Sequence, residues 1–134
     1  MDVDEAASGA GVRTATVANA RDARAFVAVV LTPAVAASTV ETVRLIVSEL
    51  VSNALQHGGV DAVEVALSPA ADAVELMVRG GRDATGEVAH PSQWSIAEPA
   101  AATGRGLGIV AALADDIRLA THDGRLVVAC RVRC

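Results

Sequence analysis

The sequence predicts an α+β fold: a two-layer α/β sandwich with a mixed, mostly antiparallel sheet and helices on one face. Three observations predict it. Short runs with apolar residues at every second position mark strands, while other segments repeat theirs every three or four residues, as helices do. Their order is strand, two helices, two strands, a long irregular segment, helix, two strands, which suits helices layered on one side of a sheet. Finally, 134 residues, 52% of them apolar, are enough for one domain around one core.

Taken in order, residues 1–10 are acidic and small and read as a flexible leader, leaving 11–134 as the domain. Val12 to Val17 alternates as a strand. Asn19 caps a helix running through Phe26 to Leu31, which Pro33 terminates. A longer helix follows. Ser38 and Glu41 form a capping box at its start, and Gly58-Gly59 supply the left-handed stop. Val43, Ile46, Val47, Leu50, Val51 and Ala54 give it a core-facing stripe.

Asp61 to Leu67 alternates as a second strand. Pro69-Ala-Ala-Asp72 reads as a hairpin turn into a third strand that buries Val74, Leu76 and Val78, and Gly80-Gly81 breaks that strand. Residues 82–103, with Pro91 and Pro99, form a segment so long and weakly patterned that it is either disordered or functional, such as a lid. Trp94 within it either closes over a ligand or pins the loop to the core. A glycine-rich loop then leads into an apolar helix, Ile109 to Ala114. Strands Asp116 to Thr121 and Leu126 to Val132 complete the chain, joined at Asp123-Gly124, a strong hairpin signal.

Composition excludes several function classes. A net charge of −5 argues against a nucleic-acid binder, because phosphate backbones are held by clustered positive charge. All basic residues are arginine, which removes lysine chemistry and the Walker-type phosphate loop. Cys130 and Cys134 offer neither a metal-ligand spacing nor a disulfide framework and read as reduced thiols of a cytosolic protein. With no signal peptide and no apolar run of membrane-spanning length, the expectation is a soluble, cytoplasmic protein.

Glu49 and Asn53 carry the chemical interest. A helix turns about 100° per residue, so the two lie about 40° apart, flanked by Leu45 and Ile46. A carboxylate and an amide among aliphatic neighbours cost free energy unless their hydrogen-bonding needs are met. A magnesium ion, a water or a substrate hydroxyl would meet them; in the plainer reading they sit at the rim of the apolar face, solvated. Arg44, Ser48, Ser52 and Gln56 form a separate, solvent-side stripe. Gly104-Arg105-Gly106-Leu107-Gly108 is either a phosphate cradle at a helix N-terminus or a plain connector. It does not follow a strand, so it is no dinucleotide fingerprint.

Together these motifs are more specific. Glu49-x-x-x-Asn53-x-x-x-His57, a glycine pair (Gly80-Gly81) after a strand, and Thr103-Gly-Arg-Gly-Leu-Gly108 before a helix resemble the GHKL (Bergerat-fold) ATPase superfamily. Ser48 to Gly58 is most similar to its anti-sigma-factor serine kinase branch, found in bacteria, and the resemblance spans about Val12 to Val132. It implies ATP and Mg2+ as cofactors. Asn53 would coordinate the magnesium, and Glu49 would be the catalytic general base on a protein hydroxyl. Gly104, Gly106, Leu107 and Gly108 would wrap the phosphates through their amides. Arg105 would assist a phosphate or face the partner, and His57 would end the helix near the site or complement its dipole. The implied partners are a sigma factor and an anti-sigma antagonist protein, without nucleic acid or membrane, and relatives suggest a homodimer.

The chain departs from that family at the adenine end. Where the family carries a strand-end aspartate that reads the adenine amino group, this chain has Gly80, or Arg79 if the register shifts. Asp83 lies several residues late and would substitute only if the loop bends back. Arg125 replaces the threonine that usually follows the glycine of the last hairpin. A lost charge-assisted bond to the base is worth roughly 1.5–3 kcal/mol, or about ten- to a hundredfold in affinity. Two readings follow: an ATP-dependent serine kinase, or a degenerate member that binds nucleotide weakly or not at all and serves as an interaction module. A sensor-kinase catalytic domain ranks last, for want of a dimerisation helix bearing a phosphoacceptor histidine.

Overall fold

A computed structural model of the chain describes residues 11–82 and 102–134. The expected leader, Asp83, Trp94 and almost all of the expected lid lie outside the described residues. The elements are β1 (Arg13–Val17), α1 (Ala20–Leu31), α2 (Ala37–His57), β2 (Val63–Pro69), β3 (Ala73–Arg82), α3 (Ala102–Leu113), β4 (Asp116–His122) and β5 (Arg125–Arg133). The strands form one sheet in the order β1-β2-β3-β5-β4. Every pairing among them is antiparallel. The expected two-layer α+β arrangement is present, with α2 against β2, β3 and β5 and flanked by α1 and α3.

Local chemistry accounts for most boundaries. Asn19 is extended and its Oδ1 accepts from the amide of Asp22 at 2.7 Å, satisfying one orphan donor at the start of α1. Pro33 cannot continue that helix, and the chain turns through Val35, whose amide bonds back to the Leu31 carbonyl at 3.0 Å. The β4–β5 hairpin turns on Asp123 and Gly124 with φ of 54° and 75°, the paired positive values of a tight two-residue loop. Gly59, at φ 67°, takes the left-handed conformation just beyond α2.

Four boundaries and faces differ from expectation. The capping box does not form, because α2 begins at Ala37 with Ala36 as an N-cap lacking a side-chain bond. Burial of Thr39 and Val40 draws the first turn into the helix. Ser38 then lies inside it, its carbonyl accepting from Thr42 Oγ1, while Glu41 pairs with Arg44 at 3.0 Å. Gly80-Gly81 does not break β3 either. The strand runs on to Arg82, which pairs with Arg125, and its register against β5 shifts between Arg79 and Arg82.

Third, α3 begins at Ala102, so the glycine-rich stretch forms its opening turns instead of a loop ahead of it. Val110, fully buried, and Leu107, half-buried, share the inner side of this helix, and packing overrides the roughly 1 kcal/mol per glycine that propensity costs. Fourth, the stripe of Arg44, Ser48, Ser52 and Gln56 is not uniformly solvated. Ser48 is buried and its hydroxyl accepts from Arg24 of α1 at 2.9 Å, because α1 packs on that side of α2.

The core lies between the helices and one face of the sheet. Val27, Leu31, Val43, Ile46, Val47, Val51, Val65, Leu67 and Val74 are all fully buried, and Phe26 is the aromatic among them. Each such side chain contributes roughly 1.5–3 kcal/mol by leaving water. The opposite sheet face carries charge instead. Arg79 pairs with Glu64 and Asp123, while Glu75 binds Arg118 and Arg131. The period of two thus separates an aliphatic inner face from an ion-paired outer one.

Candidate functional site

The candidate site is built on α2, whose burial fixes which way each side chain faces. With Val43, Val47 and Val51 buried completely, Glu49 and Asn53 fall on the flank of the helix, and both are half-buried. Ile46 beside them is fully enclosed, whereas Leu45 is 41% exposed, so the pair marks the border between core and solvent. Among the described residues, no hydrogen bond or ion pair engages either side chain. Toward the described residues the acid and the amide are therefore adjacent, accessible and uncommitted. That is the state a ligand-binding pair needs and a structural pair does not.

α3 packs against α2 and brings the Gly104–Gly108 stretch into the same helical layer. Within a regular helix the amides of Gly106, Leu107 and Gly108 bond to carbonyls four residues earlier. The amides left for an anion are those of the first turn, including Thr103 and Gly104. His57 is the last residue of α2. The sequence-predicted residues thus divide into a pair on α2, a helix start on α3 and a glycine pair on β3.

The β3 end has a different character. Gly80 is buried facing the helical layer, and a Cβ placed on it would lie 2.7 Å from the Cβ of Ala54 and 3.2 Å from Cγ1 of Val63. Arg79 pairs with Glu64 and Asp123 on the outer face, so of the two residues the sequence offered there only Gly80 faces the helical layer. Gly81 lies in the register shift that follows.

The groups present fit ATP and Mg2+ unevenly. An uncommitted carboxylate and amide suit a magnesium–phosphate cluster. Among the described residues no group of three or more His, Cys, Asp or Glu forms a cage, so magnesium there would draw most of its oxygen ligands from phosphate and water. Position 80, where the resemblance would put a base-reading aspartate, projects no polar side chain.

Two features were not anticipated from sequence. One is the Arg24–Ser48 bond between α1 and α2; the other is the Gly80–Ala54 approach, whose signal was a small residue on each side of a helix–sheet contact. The cysteines take no part. Burial, then the charges of Asp116 and Glu75, push the Cys130 thiol up to about 12, so at neutral pH it holds its proton and is a poor nucleophile. Cys134 is free and exposed.

No helix among the described residues is long and apolar enough to cross a membrane. No curated protein matches the chain. Residues 13–131 match the family model described as the histidine kinase-like ATPase domain. That match begins with β1 and extends into β5, taking in α2 with its acid–amide pair. The chain therefore belongs to the histidine kinase-like ATPase domain family.

Proposed function

We propose that the domain binds ATP with magnesium and transfers a phosphoryl group to a serine of a partner protein, as a cytoplasmic, anti-sigma-type regulator in bacteria. The observation that carries this reading is the Glu49–Asn53 pair, half-buried on one flank of α2 and without a partner among the described residues. Asn53 Oδ1 is a neutral oxygen donor of the kind a hard cation accepts. Glu49, one turn earlier, is the base that takes the proton of the attacking serine hydroxyl. ATP supplies the phosphoryl group, and the first-turn amides of α3 favour its negative charge. In this reading the partners are a sigma factor and an antagonist protein bearing the serine.

Calorimetric titration with ATP, with and without magnesium, tests it. The wild-type chain should bind in the presence of magnesium. Asn53→Ala should lose that binding while its stability stays within about 0.5 kcal/mol, as for a substitution outside the core. No heat and no thermal shift from the wild-type chain at millimolar ATP would leave the second reading, an interaction module without nucleotide. One observation favours that alternative: the apolar closure at Gly80 and Ala54.

A further inference from the structure

We infer that the outer face of the sheet, at its β4–β5 hairpin end, is a docking surface for an acidic amphipathic helix of a partner protein. The surface lies across the sheet from α2 and stands apart from the nucleotide site proposed above.

The strand register builds it. Arg125 of β5 pairs with Arg82 of β3 on one side and with His122 of β4 on the other, so three basic residues stand in one row across adjacent strands. β5 buries Val128 and Cys130 toward the helices, which puts Arg125, Val127 and Ala129 on the opposite face. Val127 stands between Arg79 and Ala120, and Ala129 between Met77 and Arg118. A basic row is thus followed by two rows of mostly small or apolar residues.

In a chain of net charge −5 this basic row is a local exception. The described acids near it are Asp123, 3.5 Å from Arg79 and 3.6 Å from His122, and Glu64, 4.0 Å from Arg79. Neither pairs with Arg125, which is exposed and without an ion-pair partner among the described residues. The other end of the same face is matched: Arg131 binds Asp72 and Glu75, and Arg118 binds Glu75 and Asp116. Like charges set directly opposite one another weaken a sheet, so the row is unfavourable until an anionic partner covers it.

Spacing identifies the partner. Neighbouring strands lie about 4.8 Å apart, close to the pitch of an α-helix at about 5.4 Å. A helix lying across the strands sets one carboxylate per turn over positions 82, 125 and 122. An extended peptide repeats its side chains on one face about 6.8 Å apart and misses that spacing. The adjoining flank of the helix meets Val127, Ala120, Met77 and Ala129, all at least partly exposed. Carboxylates beside an apolar stripe define an acidic amphipathic helix, and guanidinium groups bind carboxylates through paired hydrogen bonds.

The test titrates the full chain, at low salt, into a labelled synthetic helical peptide carrying glutamate once per turn with alanine and leucine beside it, read by fluorescence anisotropy. Wild type should bind it, and bind a scrambled peptide of the same composition at least about tenfold more weakly. Arg125→Glu should weaken binding about tenfold or more, the size of one charge-assisted bond. Arg133→Glu, the same charge change at the far end of β5, should leave it within about threefold. Equal losses from the two substitutions, equal binding of the scrambled peptide, or no binding by wild type would each overturn the inference. Tighter binding of a single-stranded oligonucleotide would also overturn it, in favour of nucleic acid. In the ligand-free protein Arg125→Glu should raise the melting temperature, because a like-charged cross-strand pair becomes an opposite one. An unchanged or lower value would remove the unfavourable row from which the inference starts.

Discussion

Asn53 and Ala54 are consecutive residues of one helix and lie in opposite environments. Asn53 is a half-buried amide on the flank of α2 with no hydrogen-bond partner among the described residues. Ala54 faces β3 so closely that the opposing residue has no side chain at all. A step of about 100° separates a place where polarity is held in reserve from one where volume is used up. The other side of the helix is anchored firmly, by Val43, Val47, Val51 and the Gly80 contact. Rigidity on one side holds the acid and amide on the other in a fixed geometry.

The strongest way to break this comparison is to insert one methyl group. Gly80→Ala places a Cβ 2.7 Å from that of Ala54, and urea denaturation should show a loss of about 1–3 kcal/mol, the usual cost of overpacking a well-filled interior. The backbone at Gly80 is not in the left-handed region, so the loss is attributable to the contact alone. In an Ala54→Gly background the same substitution should cost less. A full-sized loss in both backgrounds would mean that Ala54 is not the obstacle.

A second test addresses the remaining side of α2. Ser48 is buried and its hydroxyl accepts from Arg24 of α1 at 2.9 Å, a charge-assisted bond that ties two helices together one residue before Glu49. Ser48→Ala should destabilise the domain by about 1–2 kcal/mol, the cost of leaving the guanidinium without its acceptor. Nucleotide affinity should follow stability only weakly, because Ser48 faces α1 and the acid–amide pair does not. An affinity loss much larger than the stability loss would extend the site to this third side.

These residues also show what the sequence could tell. Asn19 as a cap and Asp123-Gly124 as a turn were legible because each is decided within four residues. So was the buried stripe of α2, since periodicity survives whatever packs on it. The Ser38–Glu41 box failed because burial of Val40 and Thr39, a tertiary event, started the helix earlier. Gly80-Gly81 read as a break because the partner that keeps the strand going, Arg125, belongs to another hairpin. The acid–amide pair was visible from spacing, yet its lack of partners among the described residues was not. The closure against Ala54 needed two distant segments at known separation.

The smallest expected effect comes from the residue next to the largest. Arg79 precedes Gly80, but the pleat turns it to the outer face, where it lies 3.5 Å from Asp123 and 4.0 Å from Glu64. Both partners are substantially solvated, so the pairs are worth about 0–1 kcal/mol together, and Arg79→Ala should shift the urea midpoint correspondingly little. Its nucleotide affinity should match wild type, because the sheet lies between this side chain and α2. The contrast with Gly80→Ala is the point of the measurement. If position 79 proved as sensitive as position 80, or if its loss weakened nucleotide binding, β3 would present the opposite face to α2, with Arg79 and not Gly80 against the helix.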